Sequence, residues 1–175
     1  MPYLLVAPTT ALDQMTLASI RRLLGEVFPG EFSNHDWEHA LGGMHVLLLE
    51  GVEPIGHAAV VQRRLLHRGR ALRAGYVEGL GVHANRRGQG HASTLMAAVE
   101  EILRSQHDLG ALSPSESAMP FYAARNWRAW RGPLSALSPQ GLKVMSPGAV
   151  YVFEHLIPLD PFDELTCDWR NGSLW

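Results

Sequence analysis

Apolar positions along this chain fall into two rhythms. Between Ala11 and Phe28, Leu12, Met15, Ile20, Leu23, Leu24 and Val27 recur at helical spacing, which predicts an amphipathic helix stopped by Pro29-Gly30. Ala92, Leu95, Met96, Val99, Ile102 and Leu103 form a second stripe and predict a helix from about Gly90 to Gln106. Shorter helices are expected after an N-cap at Ser33 or Asn34, ending at Gly42-Gly43, and from Glu116 to Arg125. Apolar runs bounded by turn residues predict strands at 3–6, 44–50, 55–66, 71–82, 109–112, 127–130, 134–137 and 150–155. The segments 55–66 and 71–82, joined at His67-Arg68-Gly69-Arg70, read as an antiparallel hairpin. Strand 71–82, the following helix and strand 109–112 form a unit that favours parallel pairing with a right-handed crossover. Residues 158–175 read as a Pro- and Asp-rich tail.

One stretch breaks these rhythms. Gly75, Gly79 and Gly81 sit inside a predicted strand, where glycine marks a bulge or a close backbone approach by a ligand. The same strand carries a carboxylate, Glu78, among apolar neighbours. It runs into Arg87-Gly88-Gln89-Gly90-His91-Ala92, where a helix begins. Unpaired N–H groups and the dipole at a helix start favour an anion. The stretch from Tyr76 to Leu95 therefore reads as an anion cradle with an acid just upstream.

Composition narrows the possibilities. A chain of 175 residues that is 46% hydrophobic suits one domain with a real core. The formal net charge of −2 gives no reason to expect a nucleic-acid partner. Residues 63–131 hold eleven Arg against five acids, whereas residues 1–62 hold two Arg against seven acids. That asymmetry suits an anionic cofactor and a cationic substrate, and a solvated surface distributed by chance would also produce it. The single cysteine, Cys167, allows no internal disulfide. The start MPYLLVAPTT lacks the basic region of a signal peptide, and no apolar run approaches the roughly 20 residues of a membrane helix. The expectation is a soluble cytoplasmic protein with no membrane contact.

The spacing Arg87-x-x-Gly90-x-Ala92 does not fit a dinucleotide fingerprint or a P-loop. It resembles the acetyl-CoA pyrophosphate loop of the GNAT acetyltransferase superfamily. Phe121-Tyr122-Ala123-Ala124-Arg125-Asn126-Trp127 is similar to a second GNAT segment, with Asn126 where glycine is usual; asparagine tolerates the left-handed conformation. A more specific resemblance rests on Phe32, the run Asp36-Trp37-Glu38-His39-Ala40-Leu41-Gly42-Gly43-Met44-His45, Gly75-Tyr76-Val77-Glu78-Gly79, Leu109-Gly110-Ala111-Leu112-Ser113 and Cys167-Asp168-Trp169-Arg170. In order and spacing these resemble the aminoglycoside 2′-N-acetyltransferases.

The resemblance implies an α/β (α+β) GNAT fold, a mixed sheet of about six to seven strands with about four helices. It implies one domain over residues 1–175, with 158–175 as a tail capping the substrate site. It implies acetyl-CoA as cosubstrate, an aminoglycoside as acceptor and a homodimer. Arg87, Gly88, Gln89, Gly90, His91 and Ala92 would bind the pyrophosphate, and the backbone at Leu80, Gly81 and Val82 would receive the pantetheine arm as an added strand. Glu78 would accept the amine proton, directly or through water, and Tyr122 would protonate the departing thiolate. The chemistry asks for such groups independently. An ammonium cannot attack a thioester until it loses a proton, a phenol can assist a thiolate leaving group, and a backbone N–H can hold an oxyanion. A structural role for Glu78, paired with an arginine such as Arg73, is the alternative.

Candidate substrate contacts are Glu31, Asp36, Glu78, Gly79, Ser113 and Trp175. The resemblance implies that relatives with broad substrate range carry Asp at the Glu31 position, more acids in the loop here reading Lys143-Val144-Met145-Ser146-Pro147-Gly148, and an acid near the C-terminal Trp, where Ser173 stands here. Fewer acids point to a substrate with fewer ammonium groups, and kasugamycin is the specific expectation. Direct transfer needs no acyl-cysteine, so Cys167 is not expected as a nucleophile. His35 and His39 lack a supporting ligand set, so no metal is expected. The rival readings are a GNAT enzyme acting on a protein or metabolite amine, and a non-catalytic acyl-CoA-binding module.

Overall fold

Two long strands carry most of the architecture: β3 (Glu53–His67) and β4 (Arg70–Val82), once β1 (Tyr3–Pro8) and β2 (Met44–Glu50) have been laid down. The structure is a computed structural model that describes residues 1–146 and 148–175. Pro147, in the loop quoted above, lies outside the described residues. The chain forms two compact units, Met1–Val61 with Val77–Ile102 and Gln62–Tyr76 with Leu103–Trp175.

In the first unit β1 pairs antiparallel with β2, and β2 with β3. Helix α1 (Gln14–Val27) starts three residues later than the apolar stripe suggests, because the Asp13 side chain accepts the Thr16 N–H at 2.7 Å and caps it there. Its buried face is Ile20, Leu23 and Leu24. Ile20 and Leu24 pack with Leu47 and Leu49 of β2, and Leu12, Phe28, Phe32 and Trp37 close the edge of that cluster. Helix α2 (Asn34–Ala40) begins at a capping box. Asp36 N–H donates to Ser33 Oγ at 3.2 Å, and Ser33 N–H donates to Asp36 Oδ2 at 2.8 Å. Helix α3 (His91–Gln106) buries Leu95, Met96 and Val99 as its stripe predicts.

In the second unit the strand order is β6 (Arg128–Ala129), β9 (Tyr151–Glu154), β5 (Leu109–Leu112), β4, β3, β10 (Leu165–Cys167), β7 (Leu134–Ser138) and β8 (Gly141–Val144). Strand β5 lies parallel to β4 with Gly75 opposite Gly110, the pairing expected of a strand–helix–strand unit. The β3–β4 turn is Arg68-Gly69, both at positive φ, as a tight hairpin requires.

The described residues hold ten strands and four α-helices, so the expected six to seven strands were too few. The residues of β8 are all exposed, which leaves no apolar pattern to read, and β10 has three residues. The helix expected from Glu116 to Arg125 is a 3-10 turn, Glu116–Ala118, followed by α4 (Met119–Ala123). Asn126 takes φ 65°, the left-handed turn anticipated for it. The tail is not merely irregular chain, since β10 pairs antiparallel with β3 and parallel with β7.

One cation organises this second unit. Arg63 is buried, and its Nε donates to Asp168 Oδ1 at 2.8 Å. Its other nitrogens reach the carbonyls of Leu174 at 2.7 Å and Asp168 at 3.1 Å. The guanidinium carbon lies 4.7 Å from the Tyr76 ring centroid. Among the described residues no helix is long and apolar enough to cross a membrane.

Candidate active site

The glycine-interrupted strand does contain a bulge-like kink. Gly79 takes φ 58° in the middle of β4, a conformation that L side chains rarely adopt. A Cβ there would also lie 3.1 Å from Leu24 Cδ1 and 3.3 Å from the His57 ring. Glycine is thus required both by backbone conformation and by close packing. At this kink a cavity of about 200 Å³ opens, lined by Phe28, Glu31, Phe32, Asp36, Glu78 and Gly79. Four residues proposed from sequence, Glu31, Asp36, Glu78 and Gly79, therefore share one cavity.

The roles inside it are unequal. Glu78 is half-buried on β4, whereas Glu31 is exposed at the rim. Asp36 is committed to the start of α2, since its Oδ2 also accepts the Ser33 hydroxyl at 2.7 Å. Phe28 and Phe32 stack with centroids 6.3 Å apart and form an apolar wall. Arg73, the alternative partner considered for Glu78, pairs with Asp108 at 3.0 Å.

Beneath the kink lies a chain of buried polar groups. Thr9 Oγ1 is 2.8 Å from His45 Nε2, His45 Nδ1 is 3.0 Å from His57 Nε2, and His57 Nδ1 is 2.7 Å from the Gly79 carbonyl oxygen. Both imidazoles are fully buried. Burial depresses their pKa values to about 4 for His45 and about 3 for His57, so both are neutral at pH 7. Sequence reading missed this chain. The available signal was a histidine, His57, inside the apolar run of β3; its partner is set only by the strand register that brings Leu47 opposite His57.

The cradle follows β4. A 3-10 turn, Ala84–Arg86, leads to Arg87, and Gly88 and Gly90 take φ 75° and 80° before α3 begins at His91. Arg87 Nε donates to the Val82 carbonyl at 3.1 Å and ties the loop to the end of β4. A Cβ at Gly88 or Gly90 would meet nothing within 4 Å, so the concavity is open. His91 Nε2 is buried and finds no hydrogen-bond partner among the described residues. An open nest of N–H groups with an orphaned ring nitrogen at a helix start fits a bound phosphate group.

In the second unit Tyr122 is buried on α4, with its ring 5.2 Å from Phe121 and 5.9 Å from Trp127. Burial pushes its phenol above the ordinary tyrosine value, so the hydroxyl keeps its proton. Ser113 and Trp175 line a cavity of about 370 Å³ with Lys143, Met145 and Ser173. The Ser113 hydroxyl donates to the Ala149 carbonyl at 2.8 Å, and the buried Trp175 Nε1 has no partner among the described residues. Cys167 is fully buried, its thiol directed to the Leu174 carbonyl at 3.5 Å and held protonated by burial, in keeping with its exclusion as a nucleophile.

A strand kinked beside a carboxylate and followed by an open anion cradle is the arrangement expected of acetyl transfer to an amine. The family model of the acetyltransferase (GNAT) domain matches residues 11–130. The crystal structure of Escherichia coli ElaA superposes with TM-score 0.63 at 16% identity, covering 87% of this chain and 97% of that one. A GCN5-related N-acetyltransferase from Kribbella flavida superposes with TM-score 0.60 at 20% identity over 75% of this chain, which spans 34% of that longer protein. These likenesses define the class as a GNAT acetyltransferase fold. An aminoglycoside 2′-N-acetyltransferase of Mycolicibacterium fortuitum is 48% identical over 177 residues, 95% of this chain and 89% of the relative. The chain is an acetyl-transferring enzyme and belongs to the GNAT acetyltransferases, in the family of the aminoglycoside 2′-N-acetyltransferases.

Proposed function

We propose that this protein acetylates the 2′-amine of an aminoglycoside. Acetyl-CoA supplies the acetyl group as a thioester. The cradle of Arg87, Gly88, Gln89, Gly90, His91 and Ala92 would hold its pyrophosphate, and the backbone at Leu80, Gly81 and Val82 its pantetheine arm. Because the Val82 carbonyl already accepts Arg87, pairing at that residue falls to its N–H.

Glu78 removes a proton from the substrate ammonium, directly or through one water, and the freed amine attacks the acetyl carbon. The Leu80 N–H, next to the kink, donates to the acetyl oxygen as negative charge builds there. The N–C bond forms, the C–S bond breaks, the Tyr122 hydroxyl gives its proton to the sulfur, and the second proton lost by the nitrogen passes through water to restore the phenol. The phenol is suited to this because burial keeps it protonated.

The observation that carries this reading is the cavity in which Glu78 and Gly79 face Glu31, Asp36 and an aromatic wall. Carboxylates beside aromatic rings suit a sugar bearing ammonium groups. In the second cavity, among the described lining residues, Lys143 is the charged side chain and no Asp or Glu is present. That supports a substrate with few ammonium groups, and kasugamycin is the favoured one. Ser113 and the unpartnered Trp175 indole N–H would meet its polar groups, with the tail as a cap over a single functional domain. Cytoplasmic action as a homodimer completes the proposal.

The test is acetyl-CoA turnover against a panel of 2′-amino aminoglycosides including kasugamycin, with peptide and small metabolite amines alongside. Turnover of a 2′-amino drug is expected, and acetylation confined to peptides or metabolites would overturn the reading. Glu78→Gln is expected to lower kcat on the order of 100-fold with acetyl-CoA binding intact. A wild-type rate in that variant would remove Glu78 from the mechanism.

A further inference from the structure

The Thr9–His45–His57 chain has only one consistent set of proton positions. A carbonyl oxygen can only accept, so His57 Nδ1 carries the hydrogen donated to Gly79. A neutral imidazole then has a bare Nε2, which accepts from His45 Nδ1–H. His45 Nε2 is bare in turn and accepts the Thr9 hydroxyl at 2.8 Å, a nearer acceptor for that hydrogen than the Gly43 carbonyl at 3.3 Å. Thr9 Oγ1 is itself held by the Gly42 N–H at 2.9 Å. All donors point the same way, from the β1 end toward the kink, and both rings are out of reach of solvent.

The last group in the chain is a peptide unit that matters for the reaction. Among the described residues no peptide bond is cis. In a planar trans unit the carbonyl and the following N–H point in opposite directions. With the Gly79 carbonyl fastened to His57, the Leu80 N–H must point away from His57. Gly79 lacks the backbone restriction that would fix this peptide by itself, since glycine occupies positive and negative φ with similar ease. Something else has to hold the plane, and the His57 ring lies against the glycine.

We propose that Thr9, His45 and His57 are positioning residues for acetyl transfer: they lock the Gly79–Leu80 peptide plane and so aim the Leu80 N–H at the acetyl oxygen. This rests on the acetyl-transfer reading given above. The imidazoles move no proton in the reaction, because the chain ends on a carbonyl. They act through geometry, and a peptide rotated by a few tens of degrees misplaces the donor by about 1 Å, a displacement that lowers rates by up to roughly 100-fold.

Asparagine can place an amide N–H where His57 Nδ1 sits, whereas glutamine places its polar end nearer the Nε2 position. His57→Gln is therefore expected to lower kcat between about 10- and 100-fold with little change in KM for acetyl-CoA, and His57→Asn to recover most of that loss. Thr9→Val, at the far end of the chain, is expected to lower kcat a few-fold, and Thr9→Ser to restore it. In the doubly substituted protein the Thr9→Val loss should vanish, because the chain is already cut.

The amide resonance of Leu80, followed by NMR in the protein without substrate, should shift in His57→Gln and Thr9→Val and stay in place in Thr9→Ser. Wild-type kcat in both His57→Gln and Thr9→Val would overturn the proposal, as would His57→Asn falling as far as His57→Gln. If His57→Gln does not fold, the Thr9 pair and the Leu80 resonance decide it: no shift and no loss in Thr9→Val overturns it. A wild-type protein with no turnover on any amine would instead sink the acetyl-transfer reading, and the Leu80 resonance would still report on the lock.

Discussion

In the first unit the polar chain at the kink of β4 is neutral: two buried imidazoles, each with one partner ahead and one behind, and the half-buried Thr9 hydroxyl. In the second unit one of the buried polar groups is a cation, Arg63, surrounded by a carboxylate, two carbonyls and an aromatic ring. The neutral chain is directional, and its protonation follows from burial. The cation is multidentate, and its fixed charge demands several acceptors at once. The first arrangement orients one backbone peptide; the second fastens the tail around Asp168 and Leu174. A neutral chain gives direction and is vulnerable to acid, whereas the clamp is vulnerable to loss of any single acceptor.

Arg63→Leu should give the largest effect on this contrast. It leaves the Leu174 carbonyl and the partly exposed Asp168 carboxylate without their donor, and loss of one partner of a buried ion pair costs about 3–5 kcal/mol, with the lower end applying where the partner left behind reaches water. At roughly 2–4 °C per kcal/mol, the melting temperature should drop by about 10 °C, read by calorimetry. A drop under about 2 °C would show that the clamp contributes little.

Acid should strike the other network. His45 and His57 have folded-state pKa values of about 4 and about 3. Their unfolded values lie near 6.5. Below pH 6.5 the unfolded chain binds protons that the folded chain refuses, so stability falls as pH falls until the folded values are reached. Lowering pH from 6.5 to 5.5 should remove about 2 kcal/mol through these two groups, measured by urea unfolding. His57→Asn should roughly halve that contribution, and an unchanged pH slope would mean that His57 is not held neutral.

The smallest effect belongs to an exposed network. Ser33→Ala removes half of the capping box at α2 and should cost about 1 kcal/mol. It also takes the Ser33 hydroxyl away from the Asp36 carboxylate, which keeps the backbone N–H of residue 33 as its donor. A thermal shift as large as that of Arg63→Leu would erase the distinction between exposed and buried polar networks.

The site's parts differed in how visible they were along the chain. Glu78, Gly79 and the Arg87–Ala92 loop are local: strand, kink and helix start are consecutive, and each has its own residue signature. Helices α1 and α3 announced themselves by long stripes, whose centres are buried at Ile20, Leu23 and Leu24 and at Leu95, Met96 and Val99, although Met15 of the first stripe is exposed. Strands β8 and β10 did not, because β8 is exposed throughout and the three residues of β10 cannot establish a period. The His45–His57 contact was illegible for a different reason. It depends on a register between β2 and β3, which includes a shift between Leu48 and Leu49 that no pattern of apolar residues reveals. Asp36 shows the converse: its place in the cavity was anticipated, and its first duty, capping α2, became clear only from its hydrogen bonds.

The cradle at Gly88 and Gly90 has a consequence for chirality. Neither glycine is squeezed by a neighbour, and both are at positive φ. The loop's shape is therefore stored in backbone handedness and not in packing. An L-alanine at either position has room for its methyl group and the wrong torsional preference. A D-alanine, placed there by chemical ligation, has the matching torsional preference. It would stiffen the loop by narrowing the unfolded ensemble.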